Sequence, residues 1–191
     1  MWQLMSIQYI HLDAKNVQNG KLEPPFLPRL GVILKANKEL QNTVWLGRGP
    51  GENYADTLSA CPVGVYRSTV DGMGTNYVFP QENGHRESVK WFGLGDKESS
   101  MLCKMESPYG VNISNYIDEA VETAQHPWQL KKAEDVMIHI DYLQSGVGSN
   151  SCGEEQLEEY KVKRQDFVLA FTIQAVNVGE EVQESCRKYQ D

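Results

Sequence analysis

Two glutamates and one histidine are the side chains of this sequence best suited to acid–base chemistry. Glu52 follows a glycine-rich stretch, and Glu82 and His85 lie together in a later polar stretch. Paired carboxylates at a defined separation hydrolyse glycosidic bonds, and an acid with a base can move protons around a sugar ring. Spacing along the chain does not show that these groups converge, so the alternative for Glu82 is a buried carboxylate that hydrogen-bonds a loop backbone.

Two further features invite a chemical interpretation, and each has a plain structural alternative. Cys152 lies in a loop of small residues, but no base can be assigned that would make it a thiolate nucleophile. The stretch Gly47–Gly51 lacks the lysine and the following helix of a phosphate-binding loop, and Glu52 would repel an anion. Both features are therefore typical of ordinary loops.

Composition and charge exclude several classes of protein. The chain has 191 residues, 40% of them hydrophobic, which suits a single domain, and its net charge of −8 without a basic cluster argues against nucleic-acid binding. Cys61, Cys103, Cys152 and Cys186 are too widely spaced to predict a zinc site. Because neither a signal peptide nor a membrane span is recognisable, we expect a soluble, cytoplasmic protein with reduced thiols.

Alternating apolar residues predict strands over most of the chain. The predicted strands are Ile7–Leu12, Arg29–Lys35, Thr43–Leu46, Tyr77–Phe79, Ser88–Leu94, Met101–Glu106, Gly110–Ile113, Val136–Leu143 and Phe167–Ala175. Helical spacing occurs once, in a segment that begins after Ser114 or Asn115 as its cap and ends before Pro127. This pattern predicts an all-β protein, an antiparallel β-sandwich with one short helix.

A series of short sequence blocks identifies a family more specifically than any single residue does. The blocks are Leu27–Gly31, Trp45–Asp56, Tyr77–Arg86, Asn112–Tyr116, Ala124–Pro127, Ile140–Asp141 and Gly146–Gly153. Their order and spacing resemble the C-terminal domain of glycoside hydrolase family 2 β-galactosidases, which also occurs as the small chain of two-subunit enzymes. The resemblance predicts a domain over residues 27–176, preceded by segment 1–26 with one possible strand and followed by a polar tail, 177–191.

The resemblance implies a fold, and it implies that another part of the enzyme carries the catalytic residues. The fold would be a galactose-mutarotase-like supersandwich, here only in part, because the family domain is usually longer on its N-terminal side. In the whole enzyme a TIM barrel supplies the two catalytic glutamates and the magnesium and sodium ligands, and this sequence contains none of those motifs. We therefore expect no catalytic residue and no cofactor in this chain, which would work with a barrel-bearing chain or parent polypeptide on galactosides such as lactose.

The resemblance also implies which residues face the sugar. Asn150, Ser151 and Cys152 correspond to the glycine-rich loop that forms a wall of the sugar pocket. The well-known bacterial enzymes place a tryptophan at the position of Cys152, so a cysteine implies weaker stacking and a roomier subsite. The block that contains Glu82, Asn83, His85 and Arg86 would fix a loop or line the pocket.

Two other functions are compatible with the sequence. A free-standing carbohydrate-binding module is one, although the expected loop aromatic is missing. An aldose mutarotase-like protein is the other, with His85 and Glu82 as its only local acid–base pair.

Overall fold

The computed structural model describes residues 7–14, 26–96, 99–148 and 155–176, and these form an antiparallel β-structure of eight strands. The strands are β1 (Ile7–Ala14), β2 (Arg29–Asn37), β3 (Asn42–Arg48), β4 (Val63–Thr69), β5 (Arg86–Gly95), β6 (Ser100–Ser114), β7 (Asp135–Gln144) and β8 (Phe167–Val176). The helices are α1 (Val70–Met73) and α2 (Asp118–Thr123), with 3-10 turns at Leu58–Ala60, Pro127–Gln129 and Glu158–Tyr160. None of the helices in the described ranges is long and apolar enough to cross a membrane.

The long strand β6 is the branch point of the sheet. Its first part, Ser100–Met105, pairs with β8 on one side and with β5 on the other. Its second part, Gly110–Ser114, pairs with β7, and β7 continues to β2. The outer strands are β1 beside β8, and β3 then β4 beside β5. A single strand therefore couples two branches of sheet, and groups from distant parts of the sequence meet beside it.

One hydrophobic core unites the two branches. Its fully buried side chains come from β5, β6, β7 and β8, and include Phe92, Leu94, Val111, Ile113, Ile138, Ile140, Leu169 and Phe171. These residues alternate along their strands, as a half-buried strand requires. The predicted all-β antiparallel architecture is confirmed, including the N-terminal strand, which extends to Ala14.

Three strand predictions need correction. Tyr77–Phe79 is not a strand, because long-range side-chain contacts hold this segment as an irregular loop. Met101–Glu106 and Gly110–Ile113 are parts of the single strand β6. The edge strand β4 is missing from the prediction, because it pairs with β3 alone and its residues are at most half-buried, so it lacks a clear apolar face.

The predicted helix is confirmed as α2, but its predicted cap is wrong. Residue Ile117 occupies the N-cap position and makes no side-chain cap. Ser114 ends β6, and the Asn115 amide donates to the side chains of Gln41 and Asp71. The amide of Asn115 thus joins the loops at this end of the sheet and leaves the helix end uncapped.

Candidate functional site

Five charged or titratable side chains meet where β2 and β7 lie beside the loop that leads into β5, and we call them the polar cluster: Arg29, Glu82, His85, His139 and Asp141. Arg29 Nη2 donates to Glu82 Oε2 at 2.6 Å, and Arg29 Nη1 lies 3.6 Å from Asp141 Oδ2. His85, His139 and Asp141 are buried, whereas Glu82 is exposed at the rim. The cluster therefore runs from the surface into the interior.

Strand pairing makes room for the buried carboxylate of Asp141. This residue pairs with Gly31 on β2 and with Gly110 on β6. A Cβ at residue 31 would lie 2.7 Å from Asp141 Oδ1, and one at residue 110 would lie 2.4 Å from Cε1 of His85. Glycine is thus required on both neighbouring strands for the polar cluster to fit.

His85 is enclosed on every side by the protein. It is 0% exposed, and its ring stacks on Tyr54 with centroids 5.3 Å apart. Its Nε2 lies 3.1 Å from Glu87 Oε1, and its Nδ1 lies 3.7 Å from Asp141 Oδ2. The structure therefore joins His85 to Glu87 and Asp141, and the acid–base pair with Glu82 that mutarotation would use is not formed.

His139 links the buried arginine to a second carboxylate. Arg29 Nη1 contacts His139 Nδ1, and His139 Nε2 lies 3.3 Å from Asp118 Oδ1. A guanidinium can only donate hydrogen bonds, so His139 Nδ1 must be the acceptor. The ring proton is therefore on Nε2, which donates a hydrogen bond to Asp118. This bond lowers the pKa of Asp118. The position of α2 is thereby tied to the polar cluster.

Burial and neighbouring charges together set the pKa values of the interior groups. It raises the pKa of Asp141, although the positive charge of Arg29 opposes the shift. Burial alone would lower the pKa of Arg29, but the charges of Asp141 and Glu82 raise it, so the guanidinium stays charged. Burial, with the charge of Glu82, also raises the pKa of Tyr54. Tyr54 therefore stays protonated, and its hydroxyl donates a hydrogen bond to Glu82 Oε1 at 3.3 Å.

Glu82 and Glu52 each have both carboxylate oxygens engaged by the protein. Glu82 accepts from Arg29 through Oε2, and from Tyr54 and Asn112 through Oε1. Glu52 accepts from the Tyr77 hydroxyl through Oε1, and from the amide of residue 84 through Oε2 at 2.7 Å. Chemically, both carboxylates act here as anchors for the loop between α1 and β5.

Asn83 and Arg86 bind the backbone of the same loop. Asn83 Oδ1 accepts from the Thr75 amide at 3.1 Å, and Asn83 Nδ2 donates to the Gln81 carbonyl at 2.7 Å. Arg86 is buried over the Trp45 ring and donates to the carbonyls of residues 50, 73, 84 and 85. The structure thus places these two side chains inside the loop as cross-links.

Asn150, Ser151 and Cys152 lie outside the described residues, but the chain that leads to them is described. The Gly148 amide donates to Asp56 Oδ2 at 2.7 Å, and the Gly146 amide donates to the Tyr160 carbonyl at 2.9 Å. A Cβ at residue 146 would lie 2.7 Å from Asp56 Cγ. Asp56 therefore anchors the start of the glycine-rich loop.

Sequence reasoning missed four of these residues as site residues: Arg29, Asp56, His139 and Asp141. Arg29, Asp56 and Asp141 lie within the sequence blocks, and Arg29 and Asp141 are charged residues within predicted strands. A charge inside an apolar strand signals a buried pair, because an isolated buried charge is costly. That signal could have identified Arg29 and Asp141.

The described metal-ligating and thiol side chains are the remaining candidates for chemistry. Within the described ranges, no group of three or more His, Cys, Asp and Glu side chains is arranged to hold a metal ion. Cys61 and Cys103 are buried free thiols, and burial raises the pKa of Cys103 to about 12. The thiol of Cys103 is therefore protonated at neutral pH and unsuited to act as a nucleophile.

Comparison with known proteins agrees with the family that the sequence blocks indicate. A family model described as the beta galactosidase small chain matches residues 2–173. The β-galactosidase of Kluyveromyces lactis is 32% identical over 169 residues, which are 86% of this chain and 16% of that protein. The enzyme of Actinobacillus pleuropneumoniae is 30% identical over 151 residues, covering 79% of this chain and 15% of that protein. The chain thus spans about 15% of the length of these relatives, and it belongs to the β-galactosidase small chain family.

Proposed function

We propose that this chain is the non-catalytic small-chain part of a β-galactosidase that hydrolyses terminal β-D-galactosides such as lactose. The observation that carries the proposal is the family match over residues 2–173, in a chain that spans only about 15% of its relatives' length. The remaining part, a TIM barrel on a partner chain or a parent polypeptide, supplies the catalytic carboxylates and any metal ions.

The carboxylates of this chain support a non-catalytic role. Glycoside hydrolysis needs one carboxyl group to donate a proton and a second one to attack or to activate water. Glu52 and Glu82 each have both oxygens hydrogen-bonded to other groups of this chain, which favours a structural role for these two carboxylates. Their role is to hold a surface in shape for the catalytic part.

Asn150, Ser151 and Cys152 supply a wall of the sugar pocket in this proposal. Support comes from the position of their loop, which follows β7 directly and starts at the anchor that Asp56 provides for Gly148. A cysteine side chain offers a sugar ring a smaller apolar contact than a tryptophan face does. We therefore expect a subsite that accepts bulkier leaving groups than a tryptophan-lined one.

A two-chain activity assay tests the proposal. The Kluyveromyces lactis relative is expressed without the 169-residue region that matches this chain, and the two polypeptides are mixed. Hydrolysis of nitrophenyl β-galactoside that appears only in the mixture supports the proposal. The absence of activity in the mixture, with the intact relative active under the same conditions, contradicts it. Replacing Cys152 by Trp in the active mixture then tests the pocket wall through the KM for lactose.

A second candidate function is carbohydrate binding by the chain alone, and one exposed aromatic residue favours it. Trp128 is 77% exposed, and its ring stacks on His126 with centroids 4.1 Å apart and an interplanar angle of 11°. Trp128 lies in the 3-10 turn Pro127–Gln129. This turn is held in place because Gln129 Oε1 accepts hydrogen bonds from the backbone amides of Gln125 and His126. A fixed, flat indole face is a suitable platform for a sugar ring.

Calorimetric titration separates this second function from the first. The chain alone is titrated with galactose and with lactose, alongside a Trp128→Ala variant. Heat of binding that Trp128→Ala removes supports a carbohydrate-binding module. If the unaltered chain produces no heat at millimolar sugar, this second function is ruled out.

A further inference from the structure

Val78 and Phe79 form an exposed apolar pair in the loop between α1 and β5, and we call it the 78–79 tip. Val78 is 87% exposed and Phe79 is 55% exposed. We infer that the 78–79 tip docks into the barrel-bearing part of the β-galactosidase and is a main anchor of that interface. The inference rests on the proposed function and names the surface through which the two parts join.

The residues on either side of the 78–79 tip are fixed, so the tip cannot turn inward. The Tyr77 hydroxyl donates to Glu52, and the Tyr77 amide donates to the Thr75 carbonyl at 2.9 Å. On the other side, Pro80 is buried. An apolar pair held between two anchored residues stays in contact with water, which is unfavourable unless another surface covers it.

The base of the same loop is held by buried polar groups. The Gly84 amide donates to Glu52, and Gly84 itself has a φ of +82°, which few other residues adopt. Arg86 cross-links the Gly84 carbonyl to the Met73 carbonyl with bonds of 3.0 Å and 3.2 Å. The loop therefore presents the tip from a hydrogen-bonded base, which reduces the conformational entropy that binding would cost.

The surroundings of the 78–79 tip have the composition of an interface. Stable interfaces place aromatic and aliphatic side chains at the centre and polar groups at the rim. Here the exposed carboxylate of Glu82 follows Phe79 by three residues, and Arg29 forms an ion pair with it at 2.6 Å. Single exposed apolar side chains are ordinary on protein surfaces, but an adjacent pair on a cross-linked loop is not.

The partner follows from the size of the relatives. This chain corresponds to about 15% of their length, so about 85% of such an enzyme is polypeptide outside the region that this chain matches. That polypeptide is therefore a partner of the required size, and the 78–79 tip is a preformed contact for it. A second copy of this chain is the alternative occupant, and the experiment separates the two.

The experiment uses the two-chain assay with a double variant, Val78→Ser/Phe79→Ser. The concentration of this chain that gives half-maximal activity is measured for each protein. We expect it to rise roughly tenfold or more, as loss of a central anchor does, while the activity at saturation stays unchanged. Phe79→Leu, which keeps an apolar side chain, should stay within about threefold of the unaltered chain.

Leu157→Ser/Val168→Ser is the matched control, since Leu157 is 62% exposed and Val168 is 45% exposed, away from this loop. The inference is overturned if the tip variant assembles as well as the unaltered chain, or if the control loses as much as the tip variant. It is also overturned if sedimentation shows that the tip joins two copies of this chain. Equal thermal unfolding midpoints exclude misfolding as the cause. If the unaltered chain itself gives no activity in the mixture, the proposed function fails instead.

Discussion

Gly110 is a position at which one added methyl group should disturb the polar cluster through the ring of His85. A Cβ at this residue would lie 2.4 Å from Cε1 and 2.6 Å from Nε2 of His85. Carbon atoms in contact are ordinarily about 3.5–4.0 Å apart, so the ring would have to move by about 1 Å. It has no room to do so, because it is buried, stacked on Tyr54 and next to Asp141.

We therefore expect Gly110→Ala to lower the free energy of unfolding by about 3 kcal/mol, the upper part of the range for an overpacked core. In a domain of this size the melting temperature should fall by about 6–12 °C. Gly51→Ala is the matched control, because its Cβ would meet nothing within 4 Å. Its unfolding free energy should stay within about 0.5 kcal/mol of the unaltered chain.

A double variant tests whether the His85 ring is the obstacle. His85→Ala alone should cost on the order of 3 kcal/mol, since it removes a fully buried ring. In Gly110→Ala/His85→Ala the new methyl group occupies the vacated space, so the combined cost should be about 2 kcal/mol less than the sum. Urea unfolding measures all three variants. Costs that add within about 0.5 kcal/mol, or a Gly110→Ala variant as stable as the control, would refute the reasoning.

Three further predictions concern charge and burial. Arg29→Met leaves the buried carboxylate of Asp141 without its cation and should lower the free energy of unfolding by about 3–5 kcal/mol in urea titrations, whereas Arg29→Met/Asp141→Asn should recover part of the loss. Because the bond from His139 lowers the pKa of Asp118, the stabilisation from Asp118 is present above its unfolded pKa of about 3.9 and is lost as the pH falls further. The stability difference between the unaltered chain and Asp118→Asn should therefore shrink from about pH 5 to about pH 3, and a constant difference contradicts the assignment. Cys103, with a pKa raised to about 12, should resist iodoacetamide at neutral pH until urea unfolds the chain, as followed by mass spectrometry.

Strand β7 shows what a local sequence pattern can predict and what it cannot. Alternation along Val136–Leu143 predicts a strand, and the structure confirms it. The pattern does not reveal that both faces of β7 are buried, one in the apolar core and the other in the polar cluster. His139 therefore looks like an ordinary face residue in the sequence, although it is a buried link between Arg29 and Asp118.

The segment Tyr77–Phe79 shows the opposite error. Its three apolar residues have the composition of a strand, but the hydroxyl of Tyr77 is bonded to Glu52, which is 25 residues earlier. A contact of that range overrides local preference, because the bonded loop leaves no neighbouring strand for this segment to pair with. Val78 and Phe79, which follow Tyr77, are exposed.

The sequence by itself determined the family, the antiparallel β-architecture, most strand positions and helix α2, because these follow from short blocks and from residue alternation. Only the tertiary structure decided which charged groups meet. Arg29 reaches Glu82 across 53 residues and His139 across 110 residues. Such contacts depend on the register that pairs Asp141 with a glycine on each side. A one-residue shift in that register would turn these side chains to the other face. The pattern of one strand does not show which strand will pair with it, so the tertiary structure was needed to bring these residues together.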